Sequence, residues 1–407
     1  MRAAGRGGAT RAWSRPLRVL FADSQSELSG AGFALLTLLE HLVRSEIEPL
    51  YVSMAQDLPE ISEKLEALAI PTFHIRGGKF RAVGRSARAI LELRRLIQKN
   101  NVDVVVANSG HPLLYAKPAA LATGRPCVWW VHGYRPAQGA GEEPIARAQR
   151  MLSAELLLAN SEFTAHQLAA DFPHEAVHVL RPGVDLTRFR PDPAAAARVR
   201  KEEGLSPNEL VIGMFGRLQR WKGQHVFLRA AALVAGRGAK FSVLVVGGTL
   251  HGIEPEYAGE LERLAAAPSL AGRVHFLGNR SNPHELMNAC DVVVHASVEP
   301  EPWGLVIAEA MACGRAVLAS STGGPLEMID HKRTGWLVAP GDEVALATSM
   351  EILLSNASIR AELGRAARRH AESAFDPRRS ASSFSTELWR LWAVRVANVE
   401  LLTQPSQ

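Results

Sequence analysis

Short apolar runs alternate with helix-patterned segments along almost the whole chain, and this alternation restricts the fold more than any other feature. LRVLFAD, EPLYVSM, VDVVVAN, PCVWWVH, ELLLAN and AVHVLRP read as strands, apolar at most positions. Strands apolar on both faces belong in a parallel sheet with helices covering each side. Between them, segments such as AGFALLTLLEHLVR repeat apolar residues at intervals of three and four. A βαβ series of this kind predicts a doubly wound domain.

The alternation stops at RPGVDLTRFRPDPAAAARVRKEEGLSPNE, rich in proline and charge. It then restarts with LVIGMFG, KFSVLVVGG, RVHFLGN, DVVVHAS, RAVLAS and TGWLVA. A chain of 407 residues suits two domains of roughly 150–200 residues better than one core. The expected organisation is α/β, with a disordered tail over 1–16 and a Rossmann-like domain over 17–195. A second such domain covers 205–376, and a helix over 377–400 packs back on the first domain to bury Trp389 and Trp392. Two Rossmann-like domains facing each other form a cleft whose binding loops come from strand carboxyl ends.

Composition narrows the partners. At 47% hydrophobic and 21% charged residues the chain has the make-up of a soluble globular protein. No apolar run approaches the ~18 residues that span a bilayer. The opening MRAAGRGGATRAWSRP is Arg-rich and acid-free but lacks the apolar stretch of a secretory signal. A transit peptide and a disordered start both fit it. Cys127, Cys290 and Cys313 show neither zinc spacing nor pairing, which points to a reducing, cytoplasmic setting. The net charge of +5 is uneven: residues 76–100 carry eight Arg/Lys against the single acid Glu92. Leu and Ile at 90, 91, 93, 96 and 97 make the second half of that stretch an amphipathic helix. Such a helix fits a solvated outer face or a peripheral contact with anionic lipid on the inner face of a membrane. Nucleic acid is not an expected partner, because no basic motif is interleaved with aromatics.

Several loops at strand ends carry chemistry. SELSGAG, residues 26–32, follows the first strand and enters a helix. Gly30 and Gly32 there allow close backbone approach beside helix N–H groups that attract anions, or simply serve the turn. GRLQRWKGQ, residues 216–224, follows the first strand of the second half. Its Arg217 and Lys222 flank the positive end of the next helix, which is unfavourable unless an anion such as a diphosphate lies between them. His132 in VHGY ends a strand and suits either a structural place or a hydroxyl contact with acid/base capacity. Ser161 in ANSEFT is an expected helix N-cap, and Arg181 either contacts a phosphate or acceptor or anchors its loop to Asp185. Gly323 and Gly324 mark another strand–glycine–helix turn.

The stretch EPEPWGLVIAEAMACG, residues 299–314, holds two carboxylates eight positions apart. Pro302 places the helix start near Trp303–Gly304, with Glu301 in the loop and Glu309 inside the helix. Eight residues at helical rise span on the order of 12 Å. That is too far for a bridging metal or for a glycosidase-type pair at roughly 5–9.5 Å. Two hydroxyl-bearing groups flanking an anion fit the spacing, and the amides of Gly304 and Leu305 can serve that anion.

Taken together, SGAG, VHG, ANSEFT, PGVDLTRF, GRLQRWKG and E301-PWGLVIA-E309, in this order along the chain, resemble the retaining GT-B-fold nucleotide-sugar glycosyltransferases of the family 4 type (glycosyl transferases group 1). The resemblance runs from Leu17 to about Trp392. It implies two Rossmann-like domains facing a cleft and a retaining, hexosyltransferase-type enzyme acting in polysaccharide or lipid-linked glycan synthesis. Arg217 and Lys222 would bind the donor diphosphate, Glu309 the ribose hydroxyls, and Glu301 the sugar hydroxyls, with Gly304 and Leu305 amides nearby. Gly30 and Gly32 would approach the donor from the first domain, and His132 would touch the sugar near its reacting carbon. The base would lie near the turn after HFLGN, residues 275–279. The implied co-substrate is a UDP-, GDP- or ADP-sugar and the implied acceptor a glycan, a lipid-linked sugar or a small molecule, with no metal. Two positions depart from the family pattern: Arg181-Pro182 precede Gly183 where many relatives have Asn, and Ala31 separates the two glycines of the first loop. A nucleotide-sugar epimerase or hydrolase on the same fold, and a noncatalytic nucleotide-sugar binder, are the alternatives.

Overall fold

A computed structural model of the chain describes residues 15–25, 28–55, 58–77, 83–134, 144–249 and 253–403. Residues 1–14 of the expected tail, 26–27 of the first glycine loop and 78–82 of the basic stretch lie outside the described residues. Thirteen strands are described: β1 Leu17–Asp23, β2 Ile47–Ser53, β3 Thr72–His74, β4 Val104–Asn108, β5 Cys127–Val131, β6 Leu156–Ala159 and β7 Val177–Val179, then β8 Val211–Phe215, β9 Ser242–Val246, β10 Val274–Gly278, β11 Val292–His295, β12 Ala316–Ser320 and β13 Trp336–Val338. They form a seven-stranded sheet ordered β3-β2-β1-β4-β5-β6-β7 and a six-stranded sheet ordered β10-β9-β8-β11-β12-β13. The strand pairs are parallel.

The most apolar strands lie inside the sheets, as their composition requires. Every residue of β4, β5, β8, β9, β11 and β12 is buried. In the six-stranded sheet the alternation of side chains builds two cores. Ile212, Met214, Val243, Val245, Val292 and Val294 face one of them, against helices Gln224–Gly236 and Glu343–Ser355. Val211, Phe215, Leu244, Val246 and Val293 face the other, against helices Leu305–Ala312 and Ala357–Ala374. Counted from β8, the order is that of a dinucleotide-binding fold, and it reverses between β8 and β11. Ligands of open α/β sheets bind at that reversal, outside the strand carboxyl ends.

The described residues divide into two compact units, one within Met1–Trp130, Glu142–Leu156 and Ala381–Gln407 and the other within Val131–Gly141 and Leu157–Ser380. Three local features differ from the sequence expectation. The edge strand β3 was not foreseen, because it is three residues long and its pattern is only half-buried. The proline- and charge-rich break contains a helix, Pro193–Glu202, whose N-cap Asp192 accepts from Ala195 N. Its Ala195 and Val199 are buried, and Arg200 of the same helix pairs with Asp291 at 2.9 Å. In the last helix, Pro377–Thr403, Trp389 and Trp392 are only half-buried. Phe384 and Leu388 are the buried anchors, and the Phe384 ring stacks on Phe21 at 5.6 Å within the first unit.

Among the described residues no helix is long and apolar enough to cross a membrane. Helix Val83–Lys99 is amphipathic: Ala89, Leu93 and Ile97 are buried, while Arg85, Arg88, Arg94, Arg95 and Lys99 are exposed. All three cysteines are free and buried.

Candidate functional site

At the carboxyl end of β8 the chain turns through Gly216 and Arg217. The Gly216 amide donates to Val246 O, and the Arg217 carbonyl accepts from Gln224 Nε2 at 2.8 Å. These bonds fix the turn while the Arg217 side chain stays exposed, and no ion pair to it is present among the described residues. A single 3-10 turn, Arg220–Lys222, then leads into helix Gln224–Gly236. The sequence alone left two cations crowding one helix start. An internal anion answers the charge of one of them: Lys222 Nζ lies 2.5 Å from Glu301 Oε2 and 3.9 Å from the Trp221 ring centroid.

Glu301 belongs to the loop after β11, and its surroundings were not foreseen. It is only 7% exposed. Besides Lys222, its Oε2 faces His295 Nε2 at 3.1 Å and the Ser297 hydroxyl at 3.3 Å. Burial alone would raise the Glu301 carboxyl, but the Lys222 ammonium and the His295 bond outweigh it and hold the group well below the usual carboxylate range. It is therefore an anion held in place from three sides. Sequence did offer one signal for these partners. His295 and Ser297 are polar residues two apart at the end of an apolar strand, so both point to one face.

The backbone holds Glu301 as firmly as the side chains do. Its carbonyl accepts from Gly324 N at 2.7 Å, and it forms a parallel bridge with Gly323. Gly323 has φ +70°, and a Cβ there would stand 2.3 Å from the Glu301 carbonyl oxygen, so no other residue fits. Two residues beyond, Trp303 is buried edge-on against Phe375. Gly304 then takes the left-handed conformation, φ +100°, as N-cap of helix Leu305–Ala312. Helix geometry thus begins at Leu305. Its first N–H groups lack intrahelical partners and open at the β8/β11 reversal.

Glu309 lies in that helix, half-buried among Ala308, Ala310 and Met311, all of them buried. Burial pushes its carboxyl up to about 8, with the charge of Arg188 opposing. The two glutamates, similar on paper, are opposite in character: one is a compensated anion, the other keeps its proton at neutral pH.

His132 follows β5. Its carbonyl accepts from Asn160 Nδ2 at 2.9 Å, and desolvation pushes its imidazole down to about 3, which leaves the ring neutral. A Cβ on the adjacent Gly133 would come within 3.0 Å of Pro302 Cγ, so this turn lies beside the loop that carries Glu301. The structure therefore gathers Lys222, Glu301 and the His132 turn, with Arg217 and Glu309 on the two elements that flank the reversal. Gly30 and Gly32 belong to the first unit. A Cβ at Gly32 would strike the Gln25 side chain at 2.6 Å, whereas one at Gly30 would meet nothing within 4 Å. Gly32 is thus crowded by side-chain ends and Gly30 is open.

Ser161 is the expected N-cap, accepting from Thr164 N at 3.0 Å. Arg181 anchors its loop, but through acids other than the one anticipated: it pairs with Glu162 at 3.0 Å and Glu327 at 3.5 Å. Glu327 in turn accepts from the amides of Glu162 and Phe163. Among the described residues no three His, Cys, Asp or Glu side chains group as metal ligands.

Comparison with known proteins gives a consistent picture. The family model described as "Glycosyl transferases group 1" matches residues 196–370, and that described as "Glycosyltransferase Family 4" matches 28–188. The GDP-mannose-dependent alpha-(1-6)-phosphatidylinositol monomannoside mannosyltransferase of Mycolicibacterium smegmatis is 32% identical over 294 residues, covering 69% of this chain and 74% of the relative. A D-inositol 3-phosphate glycosyltransferase of Rhodococcus jostii is 36% identical over 247 residues, 58% of this chain and 54% of the relative. The match thus spans about half the length of that relative. The crystal structure of Anabaena Alr3699/HepE in complex with UDP and glucose superposes with a TM-score of 0.81 at 27% identity, covering 92% of this chain and 100% of the other.

Proposed function

The chain belongs to the group 1 glycosyltransferases, and from that premise we propose that it moves a hexose from a nucleoside diphosphate sugar to a hydroxyl acceptor with retention of anomeric configuration. The observation that carries this reading is the pairing of Lys222 with the buried Glu301 beside an exposed Arg217, at the reversal point of the six-stranded sheet. Two cations and a helix N-terminus suit a diphosphate, and a fixed carboxylate suits sugar hydroxyls. A relative named for GDP-mannose and a similar structure holding UDP and glucose support a nucleotide-linked donor.

In this mechanism Arg217 and Lys222 bind the two phosphates, Glu301 accepts from the sugar hydroxyls, and Glu309 accepts from the ribose. Gly304 and Leu305 line the phosphate side through their backbone. His132, neutral, donates or accepts at the sugar near C1, and Gly30 is the glycine of the first loop expected near the donor. The C1–phosphate oxygen bond breaks while the acceptor oxygen attacks the same face, and the departing phosphate oxygen takes the acceptor proton. No side-chain general base is required. The charge that develops on the diphosphate is what Arg217 and Lys222 stabilise. The acceptor is of the glycan or lipid-linked kind, and the exposed arginines of helix Val83–Lys99 suit a peripheral contact with anionic lipid.

A screen of UDP-, GDP- and ADP-sugars by thermal stabilisation tests the reading. The right donor at 100 times its dissociation constant should add about 2.7 kcal/mol. Product analysis should then show a glycosylated acceptor. Stabilisation by none of these sugars, or release of only free or epimerised sugar from the donor that binds, would overturn it. Arg217→Ala is expected to lower turnover by about 10²-fold while leaving the melting temperature unchanged, because the side chain is exposed and makes no ion pair among the described residues. Turnover should also persist in excess chelator, since the two cations supply the charge a metal would bring. Loss of activity on chelation, restored by a divalent ion, would refute that part.

A further inference from the structure

We infer that His295 and Ser297 are positioning residues for Glu301, which hold its carboxylate in place when a donor diphosphate draws Lys222 away. The inference rests on the donor reading above. In the free protein three donors converge on one oxygen, Glu301 Oε2: Lys222 Nζ, His295 Nε2 and Ser297 Oγ. Ser297 and His295 are also 3.1 Å apart, so the three side chains form a closed triangle behind the lysine.

Lys222 is assigned two tasks that conflict. Its ammonium neutralises the buried Glu301, and the diphosphate needs the same ammonium. A buried carboxylate stripped of its lysine partner would be strongly destabilised. With His295 and Ser297 present, two donors remain on Oε2 after the lysine turns to phosphate. The anion then stays satisfied and keeps its orientation, with Oε1 available to sugar hydroxyls.

The histidine carries its own sign of this task. His295 is 5% exposed, and its Nδ1 is buried with no hydrogen-bond partner. A buried ring nitrogen left bare is unfavourable, and an apolar residue would avoid it. Nε2 must carry a hydrogen if it is to donate to an ionised carboxylate, and Nδ1 has no partner of its own. The ring is thus placed for what Nε2 donates. Neither residue reaches the substrate in this account. Both act through Glu301.

The test uses the full chain with the donor identified above. Turnover, KM for the nucleotide sugar and Kd for the bare nucleoside diphosphate are measured for His295→Leu, His295→Gln and Ser297→Ala, each alone and combined with Glu301→Gln. His295→Leu should lower kcat by about 10- to 100-fold through misplacement of Glu301, with Kd for the bare diphosphate changed by less than about threefold. His295→Gln, which keeps a donor, should restore most of the loss. In the Glu301→Gln background the same substitutions should cost no more than about twofold, since residues acting through one group are non-additive. Ser297→Ala carries the same comparison should His295→Leu fail to fold. A kcat within about twofold of wild type in both single variants, or losses that multiply with Glu301→Gln, would overturn the inference while leaving the donor reading intact. A wild-type protein that neither binds nor turns over any nucleotide sugar would remove both.

Discussion

Replacing Lys222 with methionine is expected to lower the stability of the second unit by about 3 kcal/mol at pH 7 and to reduce transfer by more than about 10²-fold. The stability loss follows from burial. Glu301 is 7% exposed, and Lys222 is its charged partner at 2.5 Å. Methionine keeps the aliphatic length of lysine but leaves the carboxylate with only the His295 and Ser297 donors in a desolvated site. Removing one partner of a buried pair costs roughly 3–5 kcal/mol, and the remaining His295 and Ser297 bonds put this case at the lower end. For a unit of this size that is a fall in melting temperature of about 6–12 °C.

The pH dependence gives the cause away. In the wild type the Glu301 carboxyl is held below its ordinary range, so its stabilisation is present above the unfolded carboxylate pKa and is lost only as pH falls through the lower folded value. In Lys222→Met that depression goes, and burial raises the group instead. The variant should therefore deviate most from wild type at neutral pH, with the gap narrowing once pH falls below the variant's raised carboxyl and closing only as pH approaches the low folded value of the wild type. Adding Glu301→Gln to Lys222→Met should recover most of the lost stability but none of the activity. A melting temperature insensitive to Lys222→Met would mean that the ion pair does not hold the loop.

How much of this was legible in the sequence follows from where the determinants lie. The mostly apolar strands of both sheets announced themselves, since burial on two faces leaves few polar positions: VVVAN and SVLVV, with one polar residue each, are buried throughout. Two elements did not. Thr72–His74 is too short and too exposed to carry a period, and helix Pro193–Glu202 hid behind the proline and charge of its own first and last turns. At the proposed site, Arg217, Lys222, Glu301 and Glu309 drew attention in the sequence by type and spacing. The bond between Lys222 and Glu301 was not, because 79 residues separate them and only the order of β8 and β11 brings their loops together. His295 and Ser297 passed as the end of a strand. The same limit applies to glycines: Gly30 and Gly32 look alike in sequence, yet only Gly32 has the Gln25 and Leu28 side chains close against it.

The second large effect is expected at Glu309, and it has two opposite signs. Burial raises this carboxyl to about 8, against an ordinary value of about 4.3 in an unfolded chain. Below pH ~4.3 both states hold the proton and the group contributes nothing. Between that pH and about 8 the unfolded chain releases the proton while the folded one keeps it, so stability falls with rising pH, at up to about 1.4 kcal/mol per unit. Glu309→Gln removes this penalty. The variant should melt higher than wild type at pH 7, by up to about 3 kcal/mol, and equal to it near pH 4.5. Function runs the other way. To accept from two ribose hydroxyls the carboxyl must ionise, so donor binding by the wild type releases a proton. The dissociation constant of a nucleotide sugar, whose diphosphate diester does not titrate in this range, should fall by up to about tenfold per unit as pH rises from 6 toward 8 and then level off. In Glu309→Gln binding should be weak and flat across that range. Isothermal titration at four pH values, beside thermal melts of both proteins, decides it. A wild-type dissociation constant independent of pH would show that the proton is not displaced and that Glu309 is not the ribose contact. A donor-free variant no more stable than wild type at pH 7 would show that the carboxyl is not strained by burial. A helix residue that weakens the empty protein and strengthens the filled one is what a binding group in an apolar setting should be, because the ligand supplies the partners that the fold withholds.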